Sequence, residues 1–303
     1  MPNSKILCYV KREPHFLFNA ENSPRLRYVT RTLPSDMAHP RILHAHPDLV
    51  EMLLLSSGKG RFLIGGSTYD VQAGDILIYN SGVVHEEVAC QGEESAWYCV
   101  GVAGLRLPGL RENALTPDDA PVVYHTGAEA EDLRMLYDMM YRYLDEDRPG
   151  CEALCQHLFM ALLDRILQLI GNSSPRPASE TDPQTLGRRI QEYIDQHYSE
   201  PLTLQAIGNA LHLSPFYLSH VFKETSGYSP NQYLLRRRVG EAQSLLIYTD
   251  LPIARIAEQV GFETQNYFNQ QFSKHVGMPP RKFRQTFVGE QLKDPPKQDS
   301  GGN

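Results

Sequence analysis

The sequence predicts a multidomain chain: an all-β sandwich or barrel, then a helical hairpin, then an all-α domain. Three observations support this. Short strands separated by Gly-rich turns run from about residue 40 to 104, a helical period replaces them after about residue 126, and one helical unit occurs twice between residues 202 and 283. At 303 residues and 41% apolar content, the chain can bury more than one core.

The strands read EMLLL, GRFLI, STYDV, DILIY and SAWYCVGV, with SSGKG, GGS, QAGD and NSG as turns. That spacing suits a sandwich or barrel. EAEDLRMLYDMMYRYLDED then places Leu133, Leu136, Met140 and Tyr143 or Leu144 at helical spacing, and Pro149-Gly150 breaks the run. CEALCQHLFMALLDRILQLI follows as the second arm of a hairpin and ends at Gly171. NSSPRPASETDPQ is small, polar and Pro-rich, the composition of a linker. The expected organisation is a β domain over residues 1–125, a hairpin over 126–171, a linker over 172–184, a helical domain over 185–288 and a disordered tail over 289–303.

Composition narrows the function classes. Cys8, Cys90, Cys99, Cys151 and Cys155 are odd in number and lack CxxC spacing, which argues against a disulfide framework or zinc ribbon and for a reducing cytoplasm. Cys151 and Cys155, one helical turn apart, read as small core residues. The start MPNSKILCYVKREPHF has no signal-like apolar run, and no later stretch is expected to reach the roughly 20 apolar residues of a membrane span, so no membrane partner is expected. Net charge is −7, yet residues 185–288 carry 11 Lys and Arg against 8 Asp and Glu. The helical domain is the basic part, at about +3.

The repeat points to DNA. Leu204, Ile207, Leu211 and Leu213 match Ile253, Ile256, Val260 and Phe262; after a one-residue shift, Leu218, Phe222, Gly227, Pro230 and Tyr233 match Phe268, Phe272, Gly277, Pro280 and Phe283. Each unit has a short helix, a tight turn and a second helix with a polar outer face, the pattern of a helix-turn-helix. PNQYLLRRRVGEAQSLLIY joins them; as a helix it would hold two recognition helices about 30 Å apart, close to the 34 Å or so between successive major grooves. Arg236, Arg237 and Arg238 on this segment could contact phosphates or brace the helix.

On these residues the chain resembles the AraC/XylS family of transcriptional regulators, with IAEQVGFETQNYFNQQFSKHVGMPPRKFR similar to its C-terminal signature. The resemblance implies DNA contacts from Phe216, Tyr217, Ser219, His220 and Lys223 in the first unit. In the second it implies Thr264, Gln265, Asn266, Tyr267, Asn269 and Gln270. Gln and Asn can pair with adenine edges, and Tyr or Phe can touch thymine methyls, so the faces suit base reading. His212 stands where the second unit has Gly261, and His tolerates the positive φ such a turn needs better than most residues.

The β domain resembles the cupin-like (jelly-roll) sensing domain of the same family. His44-x-His46-x4-Glu51-x6-Gly58 follows the first cupin motif; Gly74-x5-Asn80-x-Gly82-x2-His85 follows the second, with Asn80 replacing its proline and Ala89 its final asparagine. The resemblance implies that His44, His46, Glu51 and His85 converge. Such a set would suit a divalent Zn, Mn, Fe or Ni ion, or would wall a polar pocket without metal, which is the preferred expectation because relatives often keep the histidines without an ion. Tyr79, His85 and Trp97 could line a pocket for a sugar or similar polyol, although ordinary packing explains Tyr79 and Trp97 equally well.

The expected protein is a cytoplasmic transcription regulator and not an enzyme. It would bind double-stranded operator DNA, sense a small molecule, dimerise through the hairpin, and contact RNA polymerase if it activates. The alternatives are a cupin metal-dependent enzyme or metal sensor fused to a DNA-binding domain, and an architectural DNA binder. The partly degraded motif, with no additional acid or base, disfavours the enzyme; the amide-rich second helix disfavours purely electrostatic binding.

Overall fold

The structure is a computed structural model that describes residues 17–18, 22–34, 41–89, 94–172 and 182–288. Cys8, Cys90, most of the expected linker and the expected tail lie outside the described residues.

Among the described residues, eight strands form the N-terminal part: β1 Arg25–Thr32, β2 Val50–Ser57, β3 Lys59–Ile64, β4 Ser67–Gln72, β5 Asp75–Tyr79, β6 His85–Ala89, β7 Ala96–Ala103 and β8 Val123–His125. They make a five-stranded sheet, β1-β7-β2-β5-β8, and a three-stranded sheet, β4-β3-β6. Pairing is antiparallel throughout. Alternate residues face opposite sides of a strand, and the two cores sort accordingly. Leu53, Leu55, Phe62, Ile64, Leu77, Tyr79 and Trp97 fill the interior. Val50, Met52, Leu54, Ile76, Ile78 and Val100 face outward, under the helices.

Helices α1 Ala130–Asp145 and α2 Cys151–Asn172 form the expected hairpin and lie on that outer face. Leu133, Tyr137, Met140, Phe159, Leu162 and Ile166 are buried there, and the Tyr137 hydroxyl donates to the Met52 carbonyl at 2.9 Å. Cys151 and Cys155 are buried packing residues, as expected. The membrane expectation needs correction: α2 is long and apolar enough to cross a bilayer by length and composition. Its apolar length instead serves the hairpin, because one face must cover the sheet while Leu158, Leu167 and Ile170 pack partly buried beside it.

The C-terminal part consists of α3 Asp182–His197, α4 Leu204–Leu211, α5 Pro215–Ser226, α6 Pro230–Tyr248, α7 Ile253–Gln259, α8 Gln265–Val276 and α9 Pro280–Val288. Helix α3 begins inside the stretch expected to be linker; Pro183 sits in the first turn, where its missing N–H costs nothing. Local signals start three of the four repeat helices: Thr203, Ser214 and Thr264 accept from the N–H groups of Ala206, Tyr217 and Tyr267, while α7 follows Pro252 without a side-chain cap; Ser229 and Gln232 form a capping box on α6. His212 takes φ 56° and ψ 41°, and Gly261 takes φ 90°, so both turns use the left-handed conformation. Leu218 and Phe222 are buried in one core; Phe268 and Phe272 are buried in a second.

The two parts are packed together. Between Arg41 and His46 the chain forms a strap across α6, so close that a Cβ on Gly240 would collide with the carbonyl oxygens of Ile42 and Leu43. Ile42 enters the core of the second repeat unit; Leu43 and Ala45 enter that of the first.

Candidate functional site

The strap and β6 assemble the histidine cluster. His44 and His85 form an isolated antiparallel bridge, with N–H to carbonyl distances of 3.1 Å and 2.9 Å in the two directions. Register on β2 places Glu51 opposite Tyr79 on β5 and Gly101 on β7. His44, His46, Glu51 and His85 are all buried, and one ligand-capable atom from each lies within 4.8 Å of the others. His85 Nε2 is 3.0 Å and His46 Nε2 3.6 Å from Glu51 Oε2, yet none of these three atoms has a partner in hydrogen-bond geometry. Buried polar atoms left in that state are costly, and a ligand that meets them recovers the cost.

The Nδ1 atoms of His44 and His85 lie 3.2 Å and 3.0 Å from the carbonyls of Ile42 and Val83. Those carbonyls accept only from N–H, so each ring keeps its Nε2 lone pair for the cluster. Burial pushes His44 well below the ordinary imidazole value, with Arg41 adding to the effect. Burial also brings His46 down to about 4, against the pull of Glu51. For Glu51, burial works upward, but the attraction of His46 and His85 prevails and holds the carboxyl well below its usual range. His85 is raised because Glu51 outweighs its burial. The cluster thus sets a carboxylate held well below its usual range among three imidazoles, two of them pushed down by burial and one raised by that carboxylate. Three imidazoles and a carboxylate fit a divalent transition-metal ion, and His44, His46, Glu51 and His85 would hold it.

Four further residues at this site escaped the sequence reading. The Tyr28 hydroxyl, on β1, donates to Glu51 Oε1, and the Cys99 thiol lies 3.7 Å from the same oxygen. Burial and Glu51 push the Cys99 thiol well up, leaving it protonated. The Tyr248 ring, at the end of α6, is 6.0 Å edge-on from His46 and 6.3 Å stacked from Tyr28. Half-buried Arg41 is raised by the nearby Tyr248, Tyr28 and Glu51, which outweigh its desolvation. Cys99 shares its side of β7 with Trp97, so strand alternation carried a usable signal for it. Tyr248 reaches the site through tertiary packing that no local pattern encodes.

Of the expected pocket residues, Tyr79 joins the cluster, its ring stacked 4.1 Å from His85. Trp97 does not. It pairs with Leu55, four residues along β2 from Glu51 and thus about 13 Å away, and packs edge-on to Phe62 at 5.7 Å. Asn80, where the motif has proline, is fully engaged: its amide donates to the Thr116 carbonyl and to Asp118, and its oxygen accepts from Leu115 N–H.

The residues expected to contact DNA lie mostly at the surface. Phe216 is 83%, Tyr217 51% and Tyr267 50% exposed. His220, Lys223, Thr264, Gln265, Asn266 and Gln270 are exposed, while Ser219 and Asn269 are half-buried. Thr264 spends its hydroxyl on capping α8. The three arginines of α6 brace the fold. Arg236 pairs with Glu86 on β6, buried Arg237 bonds Glu241 at 2.8 Å, and Arg238 donates to the carbonyls of Tyr198 and Glu200 at 2.7 Å each.

Comparison with known proteins agrees with this architecture. The AraC-like ligand-binding domain matches residues 28–163, and a helix-turn-helix domain matches residues 207–286. The chain belongs to the AraC family of transcriptional regulators. It is 28% identical to the HTH-type regulator YdiP of Escherichia coli K12 over 276 residues, 89% of each chain. It is 26% identical to the arabinose operon regulatory protein of the same organism over 242 residues, 75% of this chain and 77% of that one. With the lactose operon transcription activator of Staphylococcus xylosus it shares 22% over 237 residues, 77% of this chain and 83% of that one.

Proposed function

We propose that this regulator is a cytoplasmic, homodimeric activator whose effector binds at His44, His46, Glu51 and His85, with Tyr79 as the aromatic wall. The observation that supports it is the set of buried, unpartnered donor atoms directly beneath the helix that joins the two DNA-binding units. Carbohydrate is the proposed effector class, supported by the names of the arabinose and lactose relatives. Activation is supported by the name of the lactose relative, a transcription activator, and contact with RNA polymerase is the proposed route. The exposed residues of α5 and α8 would read operator bases in successive major grooves, with Lys223 on phosphate. Half-exposed Met135 and Leu154 on the hairpin supply apolar surface for a second copy.

A second reading, a divalent metal ion as the effector, is favoured by the two imidazoles anchored through Nδ1 on backbone carbonyls. Thermal melting of the full chain against a panel of sugars and divalent cations, with chelator controls, separates the two. A ligand at 100 times its Kd adds about 2.7 kcal/mol. A sugar that raises the midpoint of wild type but not of His46→Ala supports the first reading; a cation reversed by chelator supports the second. No shift with any compound removes the cluster as an effector site.

A further inference from the structure

We propose that the effector site is built from both halves of the chain, with Tyr248 of the DNA-binding part closing the histidine cluster. Occupancy of the cluster then sets how firmly the barrel holds the connecting helix α6. This rests on the reading that the cluster receives the effector, and it adds the route by which the DNA-binding units sense it.

The strap from Arg41 to His46 is the shared element. His44 and His46 enter the cluster, Ile42 enters one helix-turn-helix core, and Leu43 and Ala45 enter the other. Polar contacts from Arg41, Ile42 and His44 fix the same segment on both sides. The strap bonds β6 through the His44–His85 bridge. It bonds α6 through Ile42 N–H to Gln243 Oε1 at 3.0 Å and Arg41 to Ser244 Oγ at 2.9 Å. Glu86, next to His85, pairs with Arg236. A backbone so constrained cannot reposition His44 or His46 without moving the side chains seated in both DNA-binding cores.

Tyr248 gives a second route. Its ring meets His46 and Tyr28, and Tyr28 holds Glu51 through its hydroxyl. One aromatic side chain on α6 thus touches a histidine of the cluster and the tyrosine that orients its carboxylate. Because this wall belongs to α6, the cluster is complete only when the two halves are docked. A ligand that needs the complete site binds the docked arrangement more tightly and shifts the population toward it by the ratio of the two affinities.

Hydrogen–deuterium exchange on the full chain, with no ligand added, tests the coupling. Tyr248→Ala removes a half-exposed side chain and leaves the strap sequence untouched. We expect backbone exchange in residues 41–46 and 85–89 to rise about tenfold, with residues 130–172 unchanged. The volume-conserving His46→Gln should do the reverse, raising exchange in residues 239–248. If Tyr248→Ala leaves 41–46 at wild-type rates, the proposal is overturned. It is equally overturned if His46→Gln acts only within the barrel. Should either variant loosen residues 130–172 as well, the barrel itself has opened and the other variant decides. The melting panel fails independently: coupled exchange without any melting shift would sink the effector reading and leave the shared wall standing, whereas melting shifts without coupled exchange would do the opposite.

Discussion

Arg236 on α6 and Glu86 on β6 form an ion pair across the junction of the two halves, with Glu86 only 3% exposed. Burial pushes the Glu86 carboxyl up while Arg236 pulls it down. Replacing Arg236 by Met strands a buried acid, which should cost about 3 kcal/mol in urea unfolding of the full chain at neutral pH. Adding Glu86→Gln in the same chain should recover most of that loss. A double variant no more stable than Arg236→Met would mean the pair is not electrostatically coupled.

Gly240 should reverse the usual rule for helix glycines. Inside an exposed helix, Gly→Ala stabilises by about 0.5–1 kcal/mol. Here the added methyl meets the Ile42 and Leu43 carbonyls, so Gly240→Ala should destabilise by about 1–3 kcal/mol. Calorimetry settles the sign, and a raised melting temperature would show that the strap does not press on α6.

DNA binding should separate reading residues from bracing ones. Gln270→Ala is expected to cost about 1–3 kcal/mol on a selected operator and little on random DNA. Lys223→Ala should reduce the slope of log K against log salt by about one. Arg238→Ala should leave that slope intact and lower the melting temperature, because its guanidinium is committed to the Tyr198 and Glu200 carbonyls. A salt slope that falls with Arg238→Ala would assign it to phosphate after all.

Asp195 on α3 should give stability a distinct pH dependence. Its carboxylate accepts from the Tyr233 hydroxyl at 3.0 Å and lies 3.6 Å from Arg237, yet burial dominates and raises it to about 6. Between about pH 4 and 6 the folded chain therefore keeps a proton that the unfolded chain releases. Its stability contribution is full below that window and is lost as pH rises through it, on the order of 3 kcal/mol in all. Urea unfolding of wild type and Asp195→Asn across this range should diverge with rising pH; parallel curves would contradict the assignment.

The features visible in the sequence were those encoded by local periodicity and repetition. The paired apolar frames located both helix-turn-helix units, and Leu218, Phe222, Phe268 and Phe272 are buried as that pattern requires. The resemblance to the cupin motifs named His44, His46, Glu51 and His85, and the structure brings these four together. Strand β1 was missed because RLRYVTRT carries three arginines and lies before the first recognised turn. For Trp97 the sequence left pocket wall and barrel packing open, because alternation gives the side of a strand and not its distance along the barrel; the ring packs against Phe62. Arg41 and Tyr248 could not be foreseen, since their contacts depend on two regions about 200 residues apart in sequence packing together.

The strap also constrains biosynthesis. Ile42 and Leu43 are made early, but their seats on α6 and in the two helical cores appear only after roughly 200 more residues have left the ribosome. Until then the nascent barrel carries two apolar side chains with no helical core to receive them. Completion of the DNA-binding half is thus the last event in folding the sensor, and a message truncated before α6 would yield an N-terminal fragment prone to aggregate or be degraded.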